Sequence, residues 1–218
     1  MNLGFGMMRL PVKSSPTDFD YSQLNQMVDE FLTAGFNYFD TSYVYHNGRS
    51  QIAVRKSLVE RHPRESFLVA TKFPTFKLIP EFEIESIFTS QLNDLGVDYI
   101  DYYLLHNLQN VYYDGIDGKG GIVKETHLFE HAQKWKAEGK IKHLGFSFHS
   151  SAKLLDRILT DHPETEFVQI ALNPIDWDSE FVQAKECYEV IRRHGKQVVV
   201  MEPIKGGGLS QLPKDAER

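Results

Sequence analysis

The stretch DYSQLNQMVDEFLTAGFNYFD, residues 20–40, holds one complete helix-to-strand unit. Leu24, Met27, Val28, Phe31 and Leu32 recur at i, i+3, i+4, i+7 and i+8, the spacing of a single apolar face on a helix. Asp20 stands where a capping side chain belongs, and Gln23 follows three residues later. Gly35 sits where a left-handed residue ends a helix. The chain then runs through Phe36–Phe39, a short apolar segment of strand character, and stops at Asp40.

The same unit repeats in both directions. The apolar runs Leu3–Met8, Phe36–Phe39, Phe67–Thr71, Tyr99–Leu105, His143–Ser147, Phe167–Leu172 and Gln197–Met201 predict seven strands. Several are apolar almost throughout, as strands buried on both faces are. Between them, Ile84, Ile87, Phe88, Leu92 and Leu95 form a helical stripe that stops near Gly96. Phe181, Ala184, Tyr188 and Ile191 form another that stops at Gly195. Weaker helical patterns follow Gly48, Glu125 and Ser150, and Gly208–Arg218 is expected to open a further helix. Strict alternation of this kind means a parallel sheet. Seven strands fit a (β/α)8 TIM barrel truncated after strand seven, or a long doubly wound sheet. A full barrel takes ~250 residues, so these 218 residues read as a barrel lacking its last strand and helices. No glycine- or serine-rich linker divides the chain, so residues 1–218 are expected to form one domain. The segment Asn107–Lys124, with Asp114, Gly115, Asp117, Gly118, Gly120 and Gly121, reads as a long loop of the functional kind.

Composition removes whole classes of function. Lysine and arginine total 24 and aspartate and glutamate 30, a net charge of −6. That balance disfavours nucleic acid, whose binding rests on phosphate neutralisation. No apolar run approaches the ~18–20 residues of a membrane span, and the first residues lack the pattern of a secretion signal. The single cysteine, Cys187, allows no internal disulfide and no all-cysteine metal site. A cytoplasmic protein that holds no metal is expected, with Cys187 in a structural role.

Active sites of barrels lie at the C-terminal ends of the strands. There the sequence places Asp40 after strand two, Lys72 after strand three, His106 after strand four, Ser147 and His149 after strand five, Gln169 to Asn173 on strand six and Glu202 after strand seven. Tyr45 lies just beyond strand two. Singly, each has an ordinary explanation: a capping aspartate, a solvated lysine, a packed tyrosine, a core histidine. Together they have complementary chemistry. A carbonyl that accepts hydride at carbon needs a proton at oxygen. A tyrosine of pKa ~10 is a poor donor–acceptor near neutrality, and an adjacent ammonium is expected to lower that pKa. A carboxylate keeps the ammonium charged and in place, and a histidine orients the carbonyl oxygen. Tyr45, Lys72, Asp40 and His106 match those roles.

The segment Gly35-Phe-Asn-Tyr-Phe-Asp40-Thr-Ser-Tyr-Val-Tyr45 resembles the aldo-keto reductase motif of glycine, then aspartate-threonine-alanine, then tyrosine. Ala70-Thr-Lys72 resembles that family's lysine motif, Tyr99-Ile-Asp-Tyr-Tyr-Leu-Leu-His106 its histidine motif, and Leu3-Gly-Phe-Gly6-Met-Met-Arg its opening strand. The resemblance covers essentially the whole chain. It implies a catalytic tetrad of Asp40, Tyr45, Lys72 and His106, with Tyr45 as proton donor to a small aldehyde or ketone. It implies a nicotinamide cofactor across the barrel mouth, NADP(H) ahead of NAD(H). By matched position, Ser147 and Gln169 meet the carboxamide, Gly6, Met7 and Met8 line the nicotinamide and substrate pocket, Met201 stands where many relatives stack an aromatic ring, and Lys205 with Gly206, Gly207 and Gly208 forms the pyrophosphate loop. The segments 145–149 and 201–208 are similar to one branch, whose longer members often continue into an iron–sulfur-binding tail. Phe73, Phe76, Tyr43, Tyr112, Tyr113 and Trp177 are candidates for an aromatic pocket wall.

Two other functions fit the same pattern. A barrel glycosidase could use Glu202, but it needs a second carboxylate acting as acid, where strand four offers His106. A cofactor-binding regulatory protein could share the fold without turnover.

Overall fold

Residues 20–40 fold as their spacing predicts. In the computed structural model, which describes residues 3–116, 118 and 120–211, α1 spans Tyr21–Thr33 and buries Leu24 and Val28. The Asp20 carboxylate accepts the Gln23 backbone N–H at 3.2 Å, satisfying one of the first-turn donors. Gly35 adopts φ +84° just beyond the helix, a region that costs other residues energy. The chain then enters β2 (Tyr38–Asp40).

The remaining units follow in order. β1 is Gly4–Gly6, β3 Leu68–Phe73, β4 Ile100–Leu108, β5 Ile141–Phe148, β6 Phe167–Ala171 and β7 Gln197–Met201. The longer helices between them are α2 (Ser50–Val54, continued by a π-turn over Arg55–Val59), α3 (Ile84–Leu95), α4 (Leu128–Ala137), α5 (Ala152–Asp161) and α6 (Ala184–Arg193). The strands form one parallel sheet in sequence order, β1 to β7. This is the topology of a (β/α)8 barrel through seven strands rather than of a doubly wound sheet. The sheet is curled: Gln169 on β6 donates to Asp40 on β2 at 3.0 Å. Four strand spacings in a flat sheet would separate those strands by about 19 Å.

Two expectations need correction. Phe181 does not belong to the α6 stripe. The residue before the helix, Gln183, has φ +53°, so the chain turns there and Phe181 lies outside, 97% exposed. The buried face is Ala184, Cys187, Val190 and Ile191. Nor does a helix open at Gly208. Lys205–Gly207 is a single 3-10 turn, followed by turns and bends to Gln211, and residues 212–218 lie outside the described residues. The long connection after β4 carries two single helical turns, Asn110–Tyr113 and Ile122–Glu125.

Apolar packing divides into two layers. Outside the sheet, Trp135 of α4 stacks on Phe88 of α3 with centroids 3.9 Å apart, and both meet the Tyr103 ring of β4 edge-on. Inside the curl, Ala70, Leu104 and Phe167 pack with Tyr38, Tyr102 and Val199. Successive side chains on a strand alternate faces. The next inward position on each strand is therefore two residues on, toward the C-terminal mouth.

Candidate active site

That two-residue step selects the site. From Tyr38 it leads to Asp40, from Ala70 to Lys72, from Leu104 to His106, from Phe167 to Gln169 and from Val199 to Met201. Gly145 faces the same interior, since a Cβ there would meet the Phe167 ring, and the step from it leads to Ser147. At His106 the β4–β5 register shifts between Leu105 and Leu108. Asn107 takes φ +62°, and its N–H donates to the Ser147 hydroxyl at 2.8 Å instead of to the ladder. Bulges of this kind re-aim a side chain.

Lys72 and Asp40 form an ion pair at the centre. The Lys72 ammonium is 1% exposed and also donates to the Thr41 carbonyl at 2.8 Å. The other Asp40 oxygen accepts from Gln169 Nε2. Burial alone would pull the Lys72 pKa down, but Asp40 and Tyr45 outweigh it and hold the ammonium above its ordinary value. A buried cation in this setting stays charged because its partners replace water.

Tyr45 leads into a tight turn beyond β2 in which His46 and Asn47 take φ of +50° and +55°, and its backbone N–H donates to the Ser42 carbonyl at 3.3 Å. Lys72 Nζ lies 5.0 Å from the centre of its ring. The Tyr45 ring meets the His106 ring edge-on, with centroids 5.8 Å apart. Burial, the largest influence, raises the Tyr45 pKa, and with Asp40 and Glu202 it outweighs the lowering by Lys72. The net direction is upward, opposite to the expectation from the ammonium alone, because the phenol is largely removed from water. His106 is pushed down to about 3, by burial first and then by the Lys72 and His149 charges. It is a neutral imidazole at neutral pH. Its Nδ1 lies 3.1 Å from the Ser42 hydroxyl.

Ser42 and Thr41 were not singled out by sequence. Thr41 holds Lys72 through its carbonyl, and its hydroxyl lies 2.8 Å from that of Ser50. The signal was two consecutive hydroxyl residues directly after a strand-end aspartate. The outer layer contributes as well: Gln91 of α3 donates to the Lys72 carbonyl at 3.1 Å and accepts from Tyr103 at 2.5 Å.

The other residues matched by position lie around this centre. Met7 donates its N–H to the Asp40 carbonyl at 2.8 Å, while its side chain is buried in the outer core. Met201 ends β7 opposite Ala171. Lys205 is paired with Asp176 at 2.5 Å. Gly206 and Gly207 have φ of +64° and +99°, and the Gly206 carbonyl accepts from Arg9 at 2.6 Å. Of the proposed aromatic wall, Phe76 stands edge-on to His106 at 5.3 Å and 6.4 Å from Tyr112. The Tyr43 ring lies under the Lys77 ammonium. Phe73 and Tyr113 are instead fully buried core residues, and Trp177 packs on Tyr188.

The model of the Aldo/keto reductase family matches residues 2–218. The chain belongs to this family. An aldo-keto reductase of Mycolicibacterium vanbaalenii is 29% identical over 197 residues, which cover 88% of this chain and 62% of that protein. Aldo-keto reductase family 1 member A1 of Mus musculus is 26% identical, over 84% of this chain and 57% of that one. Among solved structures, the aldo-keto reductase AKR11C1 from Bacillus halodurans in its holo form superposes with a TM-score of 0.66 at 27% identity, covering 97% of this chain and 65% of that chain. An aldo-keto reductase from Klebsiella pneumoniae in complex with NADPH gives 0.70 at 20% identity, with 94% and 64% covered. The chain thus spans about three fifths of the length of the curated relatives it matches.

In this aldo-keto reductase, two of the glycines matched to the cofactor by position stand beside open space. A Cβ built on Gly6 or on Gly207 meets nothing within 4 Å, so open space adjoins both. The Ser147 hydroxyl accepts from Asn107 but has no acceptor of its own among the described residues, and Gln169 Oε1 has no donor among them. A free donor and a free acceptor side by side suit a carboxamide. Among the described residues no helix is long and apolar enough to cross a membrane.

Proposed function

We propose that this protein reduces an aldehyde or ketone to an alcohol, with Tyr45 giving the proton and Asp40, Lys72 and His106 completing the catalytic set. The observation that carries the reading is the convergence of a buried Lys72–Asp40 pair, the Tyr45 phenol and a neutral His106 at one strand-end mouth. A glycosidase would need two free carboxylates, and both Asp40 oxygens are committed to Lys72 and Gln169.

A bound nicotinamide cofactor supplies the hydride to the carbonyl carbon. Ser147 and Gln169 would hold its carboxamide, Gly6 and Met201 would line its ring, and Lys205, Gly206 and Gly207 would meet its pyrophosphate. Met7, matched to the same pocket by position, would face it only through its backbone, since its side chain is buried in the outer core. The NADPH held by the Klebsiella relative favours NADP(H) over NAD(H). As the carbonyl oxygen gains charge, Tyr45 transfers its proton to that oxygen. The raised pKa keeps the phenol protonated until then, and the Lys72 ammonium faces the phenolate that forms. His106, uncharged, donates a hydrogen bond to the same oxygen and orients it. Asp40 keeps Lys72 charged and aimed.

The test is NADPH oxidation with a panel of small aldehydes, run on the parent and on Tyr45→Phe. Turnover in the parent, reduced at least about 100-fold in the mutant with NADPH affinity retained, is the expected result. A parent that binds NADPH but oxidises it with no carbonyl would support the regulatory reading instead.

A further inference from the structure

The family motif has alanine where this chain has Ser42, and the motif therefore assigns that hydroxyl no part. Ser42 is nevertheless the joint between the two residues that would face the carbonyl oxygen. Its carbonyl accepts the Tyr45 N–H at 3.3 Å, and its hydroxyl lies 3.1 Å from His106 Nδ1 across 64 residues of sequence. The side chain is fully buried.

Hydrogen-bond accounting fixes the direction of that contact. Ser42 Oγ has two partners among the described residues, Val44 N at 3.4 Å and His106 Nδ1. A backbone N–H can only donate, so Val44 occupies a lone pair of the hydroxyl. The Ser42 proton then has one acceptor within reach, the Nδ1 lone pair. In the opposite arrangement, with Nδ1–H donating to Oγ, the Ser42 proton would be buried with no acceptor, which native structures avoid. It would also turn a bare Nε2 lone pair on the carbonyl oxygen, where a donor is needed.

We infer that Ser42 is a positioning residue: by donating to His106 Nδ1 it holds the ring proton on Nε2 and aims that N–H at the carbonyl oxygen. The depressed His106 pKa agrees, since a neutral ring has one proton to place and its tautomer is set by what the other nitrogen meets. This inference rests on the proposed reductase reading for its purpose, but the tautomer itself can be measured without turnover.

The experiment is long-range proton–nitrogen NMR on the 15N-labelled protein, with the His106 signals identified among nine histidines by their loss in His106→Gln. The parent should show an Nε2–H, Nδ1-bare ring. Ser42→Ala removes one atom, matches the family motif and should fold; its His106 should move to a mixture of tautomers. Its kcat should fall by about 10-fold at unchanged KM for NADPH, and Ser42→Thr, which keeps the hydroxyl, should restore both signal and rate. A parent ring protonated on Nδ1, or a pure Nε2–H ring persisting in Ser42→Ala, would overturn the inference. Absence of carbonyl turnover in a parent with the expected tautomer would instead sink the reductase reading alone.

Discussion

At the scale of single residues, the site works by opposing burial against charge. Lys72 stays cationic because Asp40 and Tyr45 outweigh its desolvation. Tyr45 stays protonated because desolvation, together with Asp40 and Glu202, outweighs Lys72. His106 is held neutral because burial, Lys72 and His149 all push its pKa the same way. That last imbalance reaches stability. The folded-state pKa of about 3 lies below the ~6.5 of a free histidine, so between those values the unfolded chain takes up a proton that the folded one refuses. The His106 contribution is therefore complete above pH ~6.5 and is lost as pH falls toward 3. Urea midpoints measured near pH 7 and near pH 5 should drop less for His106→Gln than for the parent, and equal drops would show that His106 takes up its proton in the folded protein. Asp40, Lys72 and His106 were legible as polar groups ending apolar runs, and Tyr45 as a tyrosine just beyond one. The upward shift of Tyr45 was not, because sequence spacing shows a neighbouring charge but not the depth of burial. Ser42 was not either, since its meaning depends on a histidine two strands away.

At the scale of elements, the strands were legible because a doubly buried strand leaves an unbroken apolar run, and α1 and α3 because glycines with positive φ, Gly35 and Gly96, end them. What spacing alone misses is a turn that interrupts a stripe, as Gln183 does before α6, and a bulge such as that at Asn107, which no residue pattern announces. One strand position was unremarkable in sequence and is tightly constrained in the fold. A Cβ at Gly145 would lie 2.5 Å from the Phe167 carbonyl and 2.6 Å from its ring, both on the adjacent β6. Only a bare Cα lets the two strands pair while the Phe167 ring fills the interior beneath the site. Gly145→Ala should cost on the order of 2 kcal/mol, in the range of overpacked cores, and be read as a lower urea midpoint. Gly6→Ala, whose Cβ meets nothing, is the matched control and should leave that midpoint in place. Equal midpoints for Gly145→Ala and the parent would mean that β5 and β6 separate freely.

At the scale of the whole molecule, the curled sheet brings the two ends of the strand order toward each other without pairing them. Among the described residues β1 is bonded only to β2, and β7 only to β6. Their C-terminal loops are tied across the mouth by Arg9, which donates to the Gly206 carbonyl from 197 residues away. Below that tie, β7 offers an edge that is unpaired among the described residues and carries Val198, Val199 and Val200, with Val200 45% exposed. Short, apolar, uncharged edges pair with other chains because their N–H and C=O groups have no partner. Val199 faces the interior layer, so Val200, its neighbour in the alternation, faces out, where a charge can be placed without entering the curl. The 218-residue chain should therefore self-associate as its concentration rises, and Val200→Lys should suppress this while leaving the circular dichroism and urea midpoint unchanged. Light scattering over a concentration series separates the cases. A parent that stays monomeric throughout would mean that the β7 edge is covered, and association undiminished in Val200→Lys would place the contact elsewhere.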